Sequence, residues 1–229
     1  MFYGVLKRWL GPGVRRALRQ VLAEARMQRL HRASMRLAKR LPETRRLHLG
    51  CSESIRPGWV NVDLYESGAD LRLDLREPLP FPDASASLIY SEHFLEHLDY
   101  PKEVEHVLRE SFRVLTPGGR FSVGVPDAAR SVHLYMSGDR DAYARFAASN
   151  PNYPEWLRVP MQALNYTFRQ FGEHKYAWDE EILGMALEAA GFVMVRRREF
   201  DPHLDSPHRR DGTLYMDGLK PRSDRSETP

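Results

Sequence analysis

Cysteine is nearly absent from this sequence, since Cys51 is the single cysteine among 229 residues. One cysteine permits neither a disulfide within the chain nor a multi-cysteine zinc site, which excludes disulfide-rich secreted scaffolds and zinc fingers. No apolar run approaches the roughly 20 residues that a membrane-spanning helix requires. The charged-then-apolar order of a secretory signal is also missing, because Lys7 and Arg8 interrupt the apolar start. These absences predict an intracellular, cytoplasmic protein.

The composition is that of a folded globular protein. Hydrophobic residues make up 42% of the chain and charged residues 28%. These proportions exclude collagen-like, low-complexity and wholly disordered classes. The length favours one domain with an appendage over two full domains.

Charge is distributed unevenly along the chain. Residues 1–46 carry 13 Lys or Arg against Glu24 and Glu43, a local balance of +11, while the remainder carries −8. Apolar residues recur at spacings of three and four from residue 14 to residue 41, which predicts a long amphipathic helix ending near Pro42. We therefore interpret residues 1–46 as a basic, helical N-terminal extension.

Two roles for this extension stay open. The helix either packs its apolar stripe on the domain or makes peripheral contact with an anionic membrane, with residues 2–10 as a short interfacial anchor. Nucleic acid is not an expected partner, because the sequence has neither an interleaved aromatic platform nor a recognised binding motif.

From residue 46 onward, short apolar strands alternate with helices. Strands are predicted at residues 47–49, 59–62, 71–73, 87–90, 120–125, 192–200 and 213–219, and helices at 102–115 and 179–190. This alternation predicts an α/β domain with a largely parallel sheet. Ligands of such sheets bind beyond the carboxyl ends of the strands, at the point where the strand order reverses.

The ends of the first three strands carry Gly50, Asp63 and Asp74. A glycine there lets a ligand approach the backbone, and a carboxylate after the second strand can accept hydrogen bonds from both ribose hydroxyls. This pairing indicates a nucleoside site. Glycine also makes turns and aspartate also caps helices, so these residues alone leave the function open.

A longer series of motifs gives a more specific indication. In order along the chain it comprises LHLGC at 47–51, PGWVNVD at 57–63, Asp74 before LPF at 79–81, SEHFLEH at 91–97, RVLTPGGR at 113–120, VPD at 125–127, EHKY at 173–176 and AGF at 190–192. The series resembles the class I S-adenosylmethionine-dependent methyltransferases, of the type called methyltransferase domain 11. The resemblance spans residues 47–221. It implies a Rossmann-like methyltransferase fold, with a mostly parallel seven-stranded sheet, helices on both faces and an antiparallel last strand.

The resemblance also implies the cofactor and its site. S-adenosylmethionine is the implied cofactor, with Gly50 and Cys51 beside its methionine moiety, Asp63 at its ribose diol, and Asp74 with Leu75 at its adenine. The loop that begins at Ser91 would close over the sulfonium. The full implied cofactor-binding set is Gly50, Cys51, Ser52, Asp63, Leu64, Asp74, Leu75 and Ser91.

Two departures from the family pattern matter. Ser52 stands where the family usually has a second glycine, which predicts a less open loop. The first crossover, residues 51–58, is too short for a helix, whereas parallel connections usually need a dozen or more residues. One face of the sheet is left under-covered, and we expect the helix of residues 14–41 to cover it.

Three histidines are candidate general bases for methyl transfer to a hydroxyl: His93, His97 and His174. The segment His93 to His97 also fits the H-x-x-E-H pattern of inverted zinc peptidases. A catalytic zinc site needs a third protein ligand and usually a long continuing helix, yet Pro101 follows closely. The sequence therefore predicts no metal. Asp127 either contacts the acceptor or caps the next segment.

Residues 127–177 form an insertion rich in aromatic residues, too long to be a simple connector. It is either a lid that selects the acceptor or a subdomain or dimer contact. Aromatic residues with Arg and Asn suit a small polar acceptor such as a sugar. The resemblance further associates the chain with lipid-linked glycan precursors, hence with work at the inner membrane surface.

Two other functions are alternatives to methyl transfer. A non-catalytic methyltransferase-fold scaffold is the main alternative, and cofactor binding distinguishes it from the enzyme. A nicotinamide dehydrogenase is disfavoured because the loop at Gly50 lacks G-x-G-x-x-G. Residues 222–229 are predicted to be a disordered tail, and the oligomeric state is not encoded in any motif.

Overall fold

The computed structural model describes residues 11–41, 46–149 and 153–222. The predicted interfacial anchor at residues 2–10 and the predicted tail beyond Arg222 lie outside the described residues.

One six-stranded sheet organises the domain, in the order β2-β1-β3-β4-β6-β5. Its strands are β1 (Arg46–Leu49), β2 (Val60–Val62), β3 (Ala86–Glu92), β4 (Leu115–Pro126), β5 (Val193–Arg198) and β6 (Thr213–Leu219). The first four strands pair in parallel, while β6 runs antiparallel to both β4 and β5. The predicted Rossmann-like α/β fold, including its antiparallel last strand, is confirmed.

The predicted count of seven strands is wrong by one. The segment 71–73 forms a single parallel bridge between Val62 and Leu71 instead of a strand. Pairing stops there because Asp63 turns the chain away from the sheet, its carboxylate accepting hydrogen bonds from the amides of Tyr65 and Glu66. A three-residue β2 therefore offers too little edge for a seventh strand.

Six helices surround the sheet within the described part of the chain. They are α1 (Pro12–Ala38), α2 (Lys102–Val114), α3 (Ala128–Ser137), α4 (Arg140–Ser149), α5 (Pro160–Arg169) and α6 (Glu180–Ala189). The helices predicted at 102–115 and 179–190 are α2 and α6. Asp179 begins α6 by accepting a hydrogen bond from the amide of Ile182, which satisfies one of its free donors.

The C-terminal half of α1 packs on the segment that follows β2. Ser34 Oγ accepts a hydrogen bond from the amide of Arg72 at 2.8 Å, and His31 Nδ1 accepts one from the amide of Asp74 at 3.2 Å. These two amides belong to the outer side of the segment, where none of the described strands pairs with it. Side chains of α1 thus satisfy donors that an open sheet edge would leave unpaired.

We expect Met27→Ala to lower the free energy of unfolding by about 2 kcal/mol or more, because Met27 is buried and a truncation leaves a cavity. The matched variant Val21→Ala should change stability little, since Val21 on the same helix is 64% exposed. Chemical denaturation of both variants measures the difference. Equal stability of the two would show that α1 is not anchored to the domain.

Candidate functional site

The loop after β1 is closed by the carboxylate of Asp63. Gly50 and Cys51 both donate their amides to the Val62 carbonyl, and Ser52 donates its amide to Asp63 Oδ2 at 3.0 Å. With the amides of Tyr65 and Glu66 on Oδ1, the carboxylate accepts three backbone hydrogen bonds. Asp63 therefore ties the loop after β1 to the loop after β2, and Oδ2 keeps an acceptor position for a ligand hydroxyl.

A cavity of about 800 Å³ opens beyond the ends of β1, β2 and β3. Six of the predicted cofactor residues line it: Gly50, Ser52, Asp63, Leu64, Asp74 and Leu75. The other two, Cys51 and Ser91, are buried and are not among its lining residues. Burial first, and then the nearby Asp63 carboxylate, raise the pKa of the Cys51 thiol to about 12, so this cysteine stays protonated.

The far end of this cavity is bounded by charges and by α1. Arg76 binds the Asp74 carboxylate through two side-chain nitrogens, at 2.9 and 2.7 Å. Burial opposes ionisation of Asp74, but the hydrogen bonds from Arg76 outweigh it and lower the pKa of the carboxyl group. Glu24 and Met27 of α1 also line the cavity. The N-terminal helix thus contributes to the wall at the predicted adenine end.

Ser52 adopts a φ of +45°, a left-handed conformation that is unfavourable for a residue with a Cβ. We expect Ser52→Gly to stabilise the fold by up to about 1 kcal/mol and to preserve cofactor affinity. Glu53→Gly is the matched control, because Glu53 has no positive φ and the same change there should destabilise. Denaturation and calorimetric titration of both variants measure the effect; a destabilised Ser52→Gly would contradict it.

A second cavity, of about 260 Å³, adjoins the first. The residues that line both are His93, His97, Gln170 and Arg209. Phe146, Tyr153 and Tyr166 of the aromatic insertion line the second cavity. Asp127 instead caps α3 by accepting a hydrogen bond from the Arg130 amide at 2.8 Å, which agrees with the capping interpretation.

The three predicted histidines come together around Glu96. Its Oε1 lies 3.7 Å from His93 Nδ1, 3.9 Å from His97 Nε2 and 4.0 Å from His174 Nε2. Glu96 is 1% exposed, and neither of its carboxylate oxygens has a hydrogen-bond partner among the described residues. Burial raises the pKa of Glu96 to about 8 and is also the main cause that lowers the pKa of each histidine.

Backbone geometry sets His93 apart. The residue has a φ of +54°, an uncommon conformation that typically persists where surrounding contacts hold it at a functional site. Its Nε2 lies 2.8 Å from Thr213 Oγ1, and its amide donates to the Gly124 carbonyl. Contacts to β4 and β6 thus fix the ring between the two cavities.

Sequence reasoning missed four residues of this site: Glu96, Gln170, Arg209 and Thr213. Glu96 was visible within the H-x-x-E-H segment, but its three partners are brought together only by the fold. Arg209 lies in the long connection between β5 and β6, where it donates to the Glu92 carbonyl at 2.9 Å. No local pattern distinguishes it from a solvent-exposed arginine.

A mixed sheet of this order, with a glycine loop and a carboxylate at the ends of β1 and β2, is the Rossmann-like methyltransferase fold that the sequence predicts. Residues 61–123 match the family model of the methyltransferase domain. The match supports the class that the sequence resembles, a class I S-adenosylmethionine-dependent methyltransferase of the methyltransferase domain 11 type, and with it S-adenosylmethionine as the cofactor.

Several solved structures are similar to the chain. An S-adenosylmethionine-dependent methyltransferase from Thermotoga maritima has 18% identity and a TM-score of 0.46, covering 88% of this chain and 96% of its own. One from Archaeoglobus fulgidus has 18% identity and a TM-score of 0.47, with 82% and 93% covered. Phosphoethanolamine N-methyltransferase 2 from Haemonchus contortus, solved with S-adenosyl-L-methionine, has 11% identity and a TM-score of 0.46, with 83% and 53% covered.

None of the described helices is long and apolar enough to cross a bilayer.

Proposed function

We propose that the protein transfers the methyl group of S-adenosylmethionine to a small polar acceptor, with a sugar or lipid-linked glycan precursor as the acceptor class. The observation that carries this proposal is the pair of adjoining cavities that share His93, His97, Gln170 and Arg209. Methyl transfer is an in-line displacement, so its main requirement is that donor and acceptor meet in a fixed orientation. Two cavities with a common wall meet that requirement.

Each cavity suits one reactant. The larger one has the glycine loop, Asp63 and Leu75 that a nucleoside with a methionine tail would contact. The smaller one is lined by aromatic rings and by the polar side chains of Thr167, Asp211 and Thr213. Rings offer an apolar face to the C–H side of a sugar, while the polar groups pair with its hydroxyls.

The insertion at 127–177 supports the lid interpretation. It contributes Phe146, Tyr153, Tyr166, Thr167, Gln170 and His174 to the wall of the smaller cavity. Tyr143 Oη donates to the Leu157 carbonyl at 3.0 Å, which joins α4 to the segment before α5. A segment that supplies so much of the acceptor wall would select the acceptor, and it would exclude water from the reacting atoms.

Two measurements test the proposal. Calorimetric titration of the full chain with S-adenosylmethionine and S-adenosylhomocysteine should give micromolar binding of both. Release of S-adenosylhomocysteine is then followed with sugars and lipid-linked sugars as acceptors, and with phenols and amines as comparison classes. Binding without turnover on any sugar would reject the acceptor class, and absence of binding would favour the non-catalytic scaffold.

Peripheral contact with an anionic membrane is part of this proposal, because residues 11–23 are all exposed. Val14, Leu18, Val21 and Leu22 form an uncovered apolar stripe beside Arg15, Arg16 and Arg19. We expect the protein to sediment with phosphatidylserine vesicles at low salt, since each basic residue near such a surface contributes about 1 kcal/mol. Leu18→Glu with Val21→Glu should abolish this binding. Sedimentation that is unaffected by the double variant would reject α1 as the contact.

A further inference from the structure

The hydrogen bonds of the three histidines around Glu96 fix which ring nitrogens face its carboxylate. His97 Nδ1 lies 3.2 Å from the Glu173 carbonyl, and His174 Nδ1 lies 2.6 Å from the Thr167 carbonyl. A carbonyl only accepts, so both Nδ1 atoms carry hydrogen. The Nε2 atoms of His97 and His174 are the ones directed at Glu96.

His93 faces Glu96 in the same way. Thr213 Oγ1 donates its hydrogen to the Arg209 carbonyl at 2.6 Å, so His93 Nε2 must be the donor in its 2.8 Å contact with this hydroxyl. Its Nδ1 therefore faces Glu96. A ring nitrogen that carried hydrogen and faced Glu96 would form a charge-assisted hydrogen bond of about 2.8 Å. The three ring nitrogens lie 3.7–4.0 Å from Glu96 Oε1, which is too long for such a bond.

Three imidazole lone pairs thus face one buried carboxyl group, neither of whose oxygens has a hydrogen-bond partner among the described residues. We propose that Glu96, His97 and His174, with His93 as a fourth donor, bind a divalent first-row transition metal such as Zn²⁺. Nitrogen donors with one carboxylate are a ligand set that these metals prefer. A cation at this point would pair both the lone pairs and the orphaned carboxylate oxygens.

The spacing suits such an ion. The ligand atoms of Glu96, His97 and His174 all lie within 4.8 Å of one another. A tetrahedral metal with bonds of about 2.0–2.1 Å separates its ligand atoms by about 3.3 Å, so the side chains would draw together by up to about 1.5 Å to complete the site. The hydrogen bonds from each ring's other nitrogen are the orienting partners that metal-bound histidines usually have.

Nearby charges are compatible with a bound cation. Arg209 lines both cavities, and its guanidinium faces the Glu92 carboxylate at 3.6 Å, which balances its charge. The sequence predicts no metal here because the H-x-x-E-H segment lacks a third ligand. The fold supplies that ligand as His174, from the loop before α6.

The position of the metal site indicates a role in activating the acceptor, an inference that rests on the proposed methyl transfer. His93 and His97 line both cavities, so the ion would lie at the wall that donor and acceptor share. An acceptor hydroxyl bound to the metal loses its proton to solvent more readily. Its oxygen then forms the new bond to the methyl carbon as the carbon–sulfur bond breaks, which yields a methyl ether and S-adenosylhomocysteine.

Cobalt provides the test, because its visible absorption reports the ligand set. Full-length, chelator-treated protein is dialysed against Co²⁺, with Zn²⁺ as competitor, for the wild type and for Glu96→Gln, His97→Ala and the control His203→Ala. His203 is an exposed histidine away from both cavities. We expect one Co²⁺ per chain in the wild type and the control, and about 100-fold weaker binding in the other two, since even the partners of metal ligands contribute about 10- to 100-fold.

Equal Co²⁺ binding in the wild type and Glu96→Gln, or no stoichiometric binding in the wild type, would overturn the proposal. Thermal denaturation checks that each variant folds; His97→Ala alters a partly exposed side chain and keeps the test valid if Glu96→Gln does not fold. Calorimetry with S-adenosylhomocysteine on the metal-free protein separates the two proposals. Cofactor binding without metal binding would reject the metal site alone, and metal binding without cofactor binding would reject the proposed function alone.

Discussion

Asp63→Ala is expected to weaken binding of S-adenosylmethionine strongly and to destabilise the domain. The Asp63 carboxylate accepts the amides of Ser52, Tyr65 and Glu66, and it lines the larger cavity. Alanine leaves three backbone donors without their partner, and an unpaired buried donor costs about 1–3 kcal/mol. Part of this cost is recovered by water because the residue is half-buried, so we expect a loss of about 2–4 kcal/mol in the free energy of unfolding.

Affinity should fall by about 100-fold or more, because the variant loses both the predicted ribose acceptor and the hydrogen bond that holds the glycine loop. Calorimetric titration with S-adenosylhomocysteine measures it. Asp63→Asn retains one oxygen acceptor and should fold better than the alanine variant while still binding weakly. Glu188→Ala removes an exposed carboxylate on α6 and serves as the control. Wild-type affinity in a folded Asp63→Ala would place the cofactor elsewhere.

The strands and the helices α2 and α6 could be predicted because their signals are local. Apolar periodicity and the cap at Asp179 each determine the backbone within a few residues. The prediction of a strand at 71–73 is wrong because it rests on local pattern alone. The apolar pattern of this segment is that of a strand, but strand formation also depends on how far β2 continues beside it, and Asp63 ends β2.

The residues that directly follow the strands predicted the larger of the two cavities. Gly50, Asp63 and Asp74 follow their strands directly, so the parallel sheet brings them to one edge. The partners of these residues could not be predicted from the sequence. The guanidinium of Arg76 binds the Asp74 carboxylate, and side chains of α1 accept hydrogen bonds from the segment 72–74. Such contacts depend on the path of the whole chain.

The cluster around Glu96 shows the limit of local motifs most clearly. The spacing of His93 and His97 invites comparison with a helix, yet residues 95–97 form a single turn of 3₁₀-helix and His93 lies outside it with a positive φ. His174 arrives from a segment some eighty residues later along the chain. Only the tertiary structure shows that all three rings face one carboxylate.

Gly50→Ala is expected to have the other large effect, because the position combines a constrained backbone with a close contact. Gly50 has a φ of +67°, and a Cβ there would lie 2.7 Å from both Cβ and Cγ of Phe94. The left-handed conformation costs about 1–2 kcal/mol for a residue with a Cβ, and overpacking adds about 1–3 kcal/mol. We therefore expect a loss of roughly 2–5 kcal/mol in the free energy of unfolding and the loss of measurable cofactor binding.

Gly58 separates the two contributions. Its φ is +77°, but a Cβ there would meet nothing within 4 Å, so Gly58→Ala should incur the conformational cost alone. In a Phe94→Gly background the contact at position 50 disappears, and Gly50→Ala should then cost about as much as Gly58→Ala. Denaturation of the four variants measures the coupling between positions 50 and 94. An unchanged cost of Gly50→Ala without Phe94 would mean that this side chain does not close the glycine loop. Restored cofactor binding in the double variant would show that the contact between Gly50 and Phe94 is what Gly50→Ala disrupts.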